Sequence, residues 1–328
     1  MGTRPAGAGS GLVEIVNPGG QLSSHGHWRA STGSTLALAQ CASATTGEVL
    51  AVFPNVVYLR TEAGVVLALS GRTIPLGPLS ISLEMPSPAF REWLPRNARV
   101  RLQPGRIILD NTVVSLEGST PWDPCLPAEA FAGASVEMPR SLEVLRETLH
   151  HAAPRGSLAF LLEGDESPMA SETEALVLRR AALAARPMLA GLASAVATGD
   201  HESFRLAAAS LAGLGGGFTP AGDDFLMGMA LAVWVSLPRG RARSLARAIA
   251  EAAAPRTATV SAAYLRAASE GAASVPWHEL VQAVLDDDMP GVRSRVEMLC
   301  TVGHTSGADS LAGFVSALQT LPVASPTV

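Results

Sequence analysis

The chain has no lysine: all 24 of its basic residues are arginine. That absence excludes Schiff-base chemistry, a lysine general base and the Walker-type phosphate lysine. Charge of either sign is sparse, at 16% of residues, and aromatics make up 5%. A net charge of −5 with dispersed arginines argues against nucleic acid as the main partner. Cysteine is scarce as well. Cys41, Cys125 and Cys300 are far apart with no Cys-x-x-Cys pair, which suits a reducing compartment and gives a zinc site no support. The first twenty residues are rich in Gly and Pro and lack the apolar run of a signal peptide. The longest apolar stretch, 225–237, is too short to span a bilayer. The expected location is cytoplasmic, with no membrane partner.

What is present is apolar. Such residues form 48% of the 328, enough for two domains and a substantial core. The texture changes part-way along. Up to about residue 135, short β-branched or alternating runs are punctuated by Asn, Gly and Pro: 35–40, 49–53, 56–61, 65–70, 80–83, 106–109 and 112–116. Their close spacing predicts an antiparallel β-rich domain over 21–135, a sandwich or partly open barrel, after a loosely ordered stretch over 1–20. From Pro139, alanine-rich segments with helical apolar spacing predict an α-helical domain over 139–322. The fold class is therefore α+β.

The most informative stretch is Leu211 to Asp224, where Gly213, Gly215, Gly216, Gly217 and Gly222 frame a Thr219-Pro220 step and end at Asp223-Asp224. Glycine permits positive φ and leaves backbone N–H groups uncovered. Thr219 is a natural N-cap, and Pro220 suits a first helical turn. The segment thus predicts a tight loop feeding a helix N-terminus, where an anion is favoured. The helix behind it, 225–237, is almost wholly apolar and anchors the loop in a core. An acidic pair there can bind a cation, orient a substrate N–H or cap the helix.

Two more segments open helices. In Gly303-His304-Thr305-Ser306-Gly307-Ala308-Asp309, Thr305 or Ser306 can cap and Asp309 can complete a capping box, yet a histidine beside two hydroxyls and an acid is also a reactive grouping. In Arg256-Thr257-Ala258-Thr259-Val260-Ser261, one hydroxyl is expected as the N-cap. The others can line a pocket, with Arg256 a fixed charge for a carboxylate or phosphate. His25 and His27 can chelate a metal or simply occupy a glycine-rich loop. The three helix starts are expected to converge on one pocket, with Trp122 and Asp123 as its lid.

At these residues the chain resembles the family named for AllH, a subunit of oxamate carbamoyltransferase and formerly a domain of unknown function. The run from Gly213 to Leu226 is similar to the signature Gly-Leu-Gly-Pro-Gly-Leu-Thr-Pro-Ser-Gly-Asp-Asp-Phe-Leu. Thr257 with Ser261, the segment 303–309, Gly77-Pro78-Leu79-Ser80 and Trp122-Asp123-Pro124 fit the same family. Two departures stand out: Gly216 replaces Pro, and Ala221 replaces Ser, which removes a hydroxyl. The resemblance implies carbamoyl transfer in purine (allantoin) catabolism, in which oxalurate and phosphate give oxamate and carbamoyl phosphate. It also implies partner subunits or a homo-oligomer. Such chemistry needs an anion cradle, donors for an oxyanion and acceptors for ureido N–H groups. The loop residues Gly215, Gly216, Gly217, Thr219 and Gly222 are expected to bind phosphate or substrate, together with Arg256, Thr257, Ser261, Thr305, Ser306, Gly307 and Asp309. Asp223 and Asp224 are the expected catalytic acceptors, and His304 the proton-transfer group. No cofactor is expected. Two alternatives compete: a hydrolase of ADP-ribosyl-glycohydrolase character with Mg²⁺ on Asp223, Asp224 and Asp309, and a non-catalytic ligand-binding subunit.

Overall fold

Short alternating strands with one buried face need either a covering layer or closure on themselves, and here they close. The computed structural model describes residues 15–16, 22–23, 26–131, 138–162 and 172–321. Strands β1 (Ile15–Val16) and β2 (Leu22–Ser23) pair with each other. The rest of the loose stretch expected over 1–20 lies outside the described residues, as does His25. Then come β3 (His27–Ser34), helix α1 (Thr35–Gln40), β4 (Thr45–Val52), β5 (Val56–Thr61), β6 (Val66–Ser70) and β7 (Ser80–Leu83). The short helix α2 (Phe90–Trp93) precedes β8 (Arg99–Gln103), β9 (Arg106–Leu109), β10 (Thr112–Ser115) and β11 (Thr120–Trp122).

Residues 27–122 form a closed barrel of 8 strands. Strand β3 accepts β7 along one side, and on the other takes β10 with its first half and β11 with its second. No long edge is left unpaired. The interior is filled by alternate side chains such as Val57 and Leu59, Ile107 and Leu109, and Val114. Most pairs in this unit are antiparallel, but not all. The pairs β3–β10, β3–β11 and β6–β7 are parallel. The first two arise because closure brings the first barrel strand beside the last ones. Two barrel strands (β3 and β8) and the added strand β11 had no counterpart among the expected runs. Conversely, 35–40 is helical, because the Ser34 hydroxyl accepts the Ala37 N–H at 3.0 Å and the Leu/Ala run favours a helix once capped.

Backbone packing divides the chain into two units, the first ending at Asp123 and the second beginning at Pro124. The second is helical: α3 (Met138–Ala152), α4 (Glu172–Thr198), α5 (His201–Leu211), α6 (Ala221–Ser236), α7 (Arg239–Ala253), α8 (Thr259–Ser269), α9 (Val275–Leu285), α10 (Met289–Cys300) and α11 (Ser306–Thr320), with 3₁₀ turns at Leu158–Leu162 and Ala254–Arg256. Part of α4, Arg179–Thr198, is long and apolar enough to cross a membrane by length and composition. Arg179, Arg180 and Arg186 interrupt its apolar run in the sequence. One face of it, including Ala181, Ala185, Met188 and Leu192, joins the helical core.

At the centre lies α6, apolar all round and buried at every position except Met227 and Ser236. Its main partner is α11. The two meet backbone to backbone through glycine: a Cβ on Gly228 would fall 1.7 Å from the Ser310 carbonyl oxygen, and one on Gly313 would fall 1.9 Å from that of Phe225. This crossing sets the N-terminal turns of the two helices side by side.

Candidate functional site

The glycine loop enters α6 through backbone shapes that side chains resist. Gly215 has φ +125° and Gly217 +92°, and a Cβ on Gly215 would sit 2.4 Å from the Ala221 nitrogen. Gly216 has ordinary φ and open space around it. The position where the family signature carries Pro is therefore the one that does not need glycine. Ala221, where the signature has Ser, is buried at the first residue of α6. The expected Thr219 cap is not made: Pro220 occupies the N-cap, and its carbonyl accepts the N–H groups of Asp223 and Asp224. Thr219 is thereby released to reach across to α11, where its Oγ1 lies 2.8 Å from the Ser306 Oγ.

The two acids of the pair face different surroundings. Asp223 accepts the Gly213 N–H at 2.8 Å with one oxygen and the Thr257 hydroxyl with the other. Ser261 also draws on this carboxylate, although its buried Oγ meets no partner at full hydrogen-bond geometry. Burial raises the Asp223 carboxyl above the usual range, and these three donors pull it back. Asp223 therefore ties the loop to the start of α8, and none of the hydroxyls at Thr257, Thr259 and Ser261 is the cap there: the N-cap is Ala258, with no side-chain bond. Replacing Asp223 with Asn should cost about 2 kcal/mol, because an amide N–H would then face a donor. Urea midpoints measure this, and an unchanged midpoint would reject the tie.

Asp224 is buried at the N-terminal turn of α6, and its Oδ2 has no hydrogen-bond partner among the described residues. Burial raises its carboxyl well above the usual range, and the nearby Asp309 raises it further; the Ser306 and Thr219 hydroxyls oppose both. Asp309, on α11, is fully buried. Its Oδ1 accepts the Leu158 N–H at 2.6 Å, and its Oδ2 has no hydrogen-bond partner among the described residues. Burial pushes this carboxyl up to about 7, against the Leu158 and Thr305 bonds. The capping box expected for Asp309 is thus replaced by a contact from a turn 151 residues away in sequence. Leu158 was not foreseen, since a main-chain donor leaves no mark in the sequence.

The other expected residues are more scattered. Thr305 is the N-cap of α11 without a side-chain cap bond, and Gly307 lies so close to α10 that a Cβ would meet the Leu299 carbonyl oxygen at 1.7 Å. Gly222 packs against the Leu211 carbonyl in the same way, at 2.2 Å. The Arg256 guanidinium donates to the Ala252 carbonyl at 2.8 Å near the C-terminus of α7, and Arg256 is exposed. His304 is exposed on the turn before α11. A cleft of about 460 Å³ in the same unit, lined by residues including His278, Gln282, Asp286 and Arg295, contains none of these residues. Among the described residues, no three His, Cys, Asp or Glu side chains form a group that could hold a metal ion.

The class defined here is a barrel unit followed in sequence by a helical unit, in which a glycine loop and three buried carboxyl groups gather where two helices begin. The chain belongs to the AllH family: residues 211–318 match the family described as oxamate carbamoyltransferase subunit AllH, and residues 29–121 match the AllH family N-terminal domain. No solved structure matches it.

Proposed function

We propose that this chain is a carbamoyltransferase subunit that works with partner subunits and takes phosphate or carbamoyl phosphate at the loop Gly215–Gly222, opposite a small ureido acid of the oxalurate type. One observation carries this reading. The N–H groups of Gly215, Gly216 and Gly217 find no acceptor among the described residues, and they lie in the loop that leads into a buried helix. Such groups suit an oxyanion. Three carboxylates nearby would repel an anion, but burial drives Asp224 and Asp309 toward their neutral forms and relieves that repulsion. In the proposed reaction, phosphate attacks the ureido carbonyl of oxalurate, the carbamoyl group moves to a phosphate oxygen, and oxamate leaves. Asp224 and the Thr219–Ser306 hydroxyls meet the ureido group, Arg256 adds positive charge at the loop's edge, and His304 moves a proton at the solvent side.

Phosphate or carbamoyl phosphate at millimolar concentration should raise the melting temperature. Gly217→Val, which forces a β-branched residue to φ +92°, should abolish the rise, whereas Gly216→Ala should preserve it. A rise that survives Gly217→Val, or no rise with either ligand, would reject the cradle.

A further inference from the structure

We propose that α4 packs against α4 of a second copy of this chain, antiparallel, and so makes the protein a two-fold dimer. The three most exposed large apolar side chains among the described residues are Leu183 at 65%, Leu206 at 60% and Leu176 at 53%, and all lie on the hairpin of α4 and α5. One exposed leucine is ordinary, but a row of them marks a contact surface. On α4 the exposed residues Leu176, Arg180, Leu183, Pro187, Ala190 and Ala193 recur every three or four positions, so they share one face of the helix. The opposite face, with Met188 and Leu192, is spent on the helical core. No acidic residue occurs from Leu176 to Thr198.

The face changes along its length, and that change selects the occupant. Its first half is bulky and basic, with Leu176, Arg180 and Leu183. Its second half is small, with Ala190, Ala193 and Ala197, and it ends at two exposed acids, Asp200 and Glu202. An identical face running the opposite way sets bulk against small side chains and arginine against acid. With the two-fold axis at Ala190, Leu183 of each copy falls opposite Ala197 of the other, and Arg180 falls opposite Asp200. A two-fold contact is isologous, so each of these pairings occurs twice. Close helix packing, at about 8–10 Å between axes, is easiest where small residues cross, as they do at Ala190. An anionic bilayer suits this face less well: alanines add little apolar area, and Asp200 and Glu202 would meet negative headgroups. Asp200 also caps α5 by accepting the Glu202 N–H at 3.0 Å, so Glu202 is the acid that can be varied without removing a cap.

Sedimentation equilibrium of the full chain over the micromolar range tests the contact, and a dimer is expected. Leu183→Asp, Arg180→Glu and Glu202→Arg should each weaken the dimer by about tenfold or more, since each sets a charge against an apolar or like-charged surface. All three side chains are exposed, so far-ultraviolet circular dichroism should stay native. Arg180→Glu combined with Glu202→Arg should associate more tightly than either single variant, because the opposed charges are then exchanged between the two ends. A chain that is monomeric throughout, including one that binds phosphatidylglycerol vesicles instead, overturns the proposal. So does a dimer that Leu183→Asp leaves intact, or a double variant no tighter than the single ones.

Discussion

Replacing Asp309 with asparagine should flatten the pH dependence of stability between about pH 4 and pH 8. Burial raises the Asp309 carboxyl from 3.8 to about 7 in the folded chain. Between those values the folded state holds a proton that the unfolded state has released, so stability falls as pH rises through the window. Below 3.8 both states are protonated and the group costs nothing; above 7 the full cost is present. At about 1.4 kcal/mol per pH unit, this amounts to about 4 kcal/mol. Asparagine keeps an oxygen for the Leu158 N–H and cannot ionise. Its extra amide N–H carries a cost of about 1–3 kcal/mol that does not vary with pH. The variant can therefore start less stable than the native chain at pH 4, while its stability relative to the native chain should climb by several kcal/mol by pH 8. Asp224 strengthens the trend, because losing the neighbouring charge lowers its own carboxyl. Urea unfolding at a series of pH values measures the difference, and parallel curves for the two chains would contradict the assignment.

Gly228→Ala should be among the most damaging single methyl groups in the helical unit. The added Cβ would lie 1.7 Å from the Ser310 carbonyl oxygen, less than half an ordinary contact distance, and the obstacle is backbone rather than a flexible side chain. Helices α6 and α11 would have to separate along a crossing that is tight elsewhere too, since Gly313 meets the Phe225 carbonyl in the same way. A loss of about 3 kcal/mol or more is expected. The separation should also pull Thr219 from Ser306. Gly216→Ala, with open space at its Cβ, serves as the control and should change stability by less than about 0.5 kcal/mol. A native urea midpoint for Gly228→Ala would show that the crossing is not the constraint described.

The residues that order the site were readable to different depths. Asp223-Asp224 and the glycines before them stood out because an acidic pair is out of place ahead of an apolar helix. Ser306 and Asp309 stood out as an ordinary helix start, and only contact with α6 shows that their side chains are used otherwise. Thr219 was misread as a cap because local rules rank a threonine before a proline as one. Its hydroxyl instead has a partner 87 residues away. His304 was singled out by residue type, and its exposure on the turn was not readable from the sequence.

By itself the sequence determined the order of a β-rich part and a helical part, and the loop at the head of α6. Periodicity, glycine and proline act over a few residues, and that is the range on which those features depend. The closure of the barrel was decided only in the tertiary structure, because it rests on pairing the first barrel strand with the last ones. The upward shift of the Asp224 and Asp309 carboxyl groups was decided there too. A carboxyl group's charge depends on the water and the neighbours it is left with, and those follow from two helices meeting at Gly228 and Gly313.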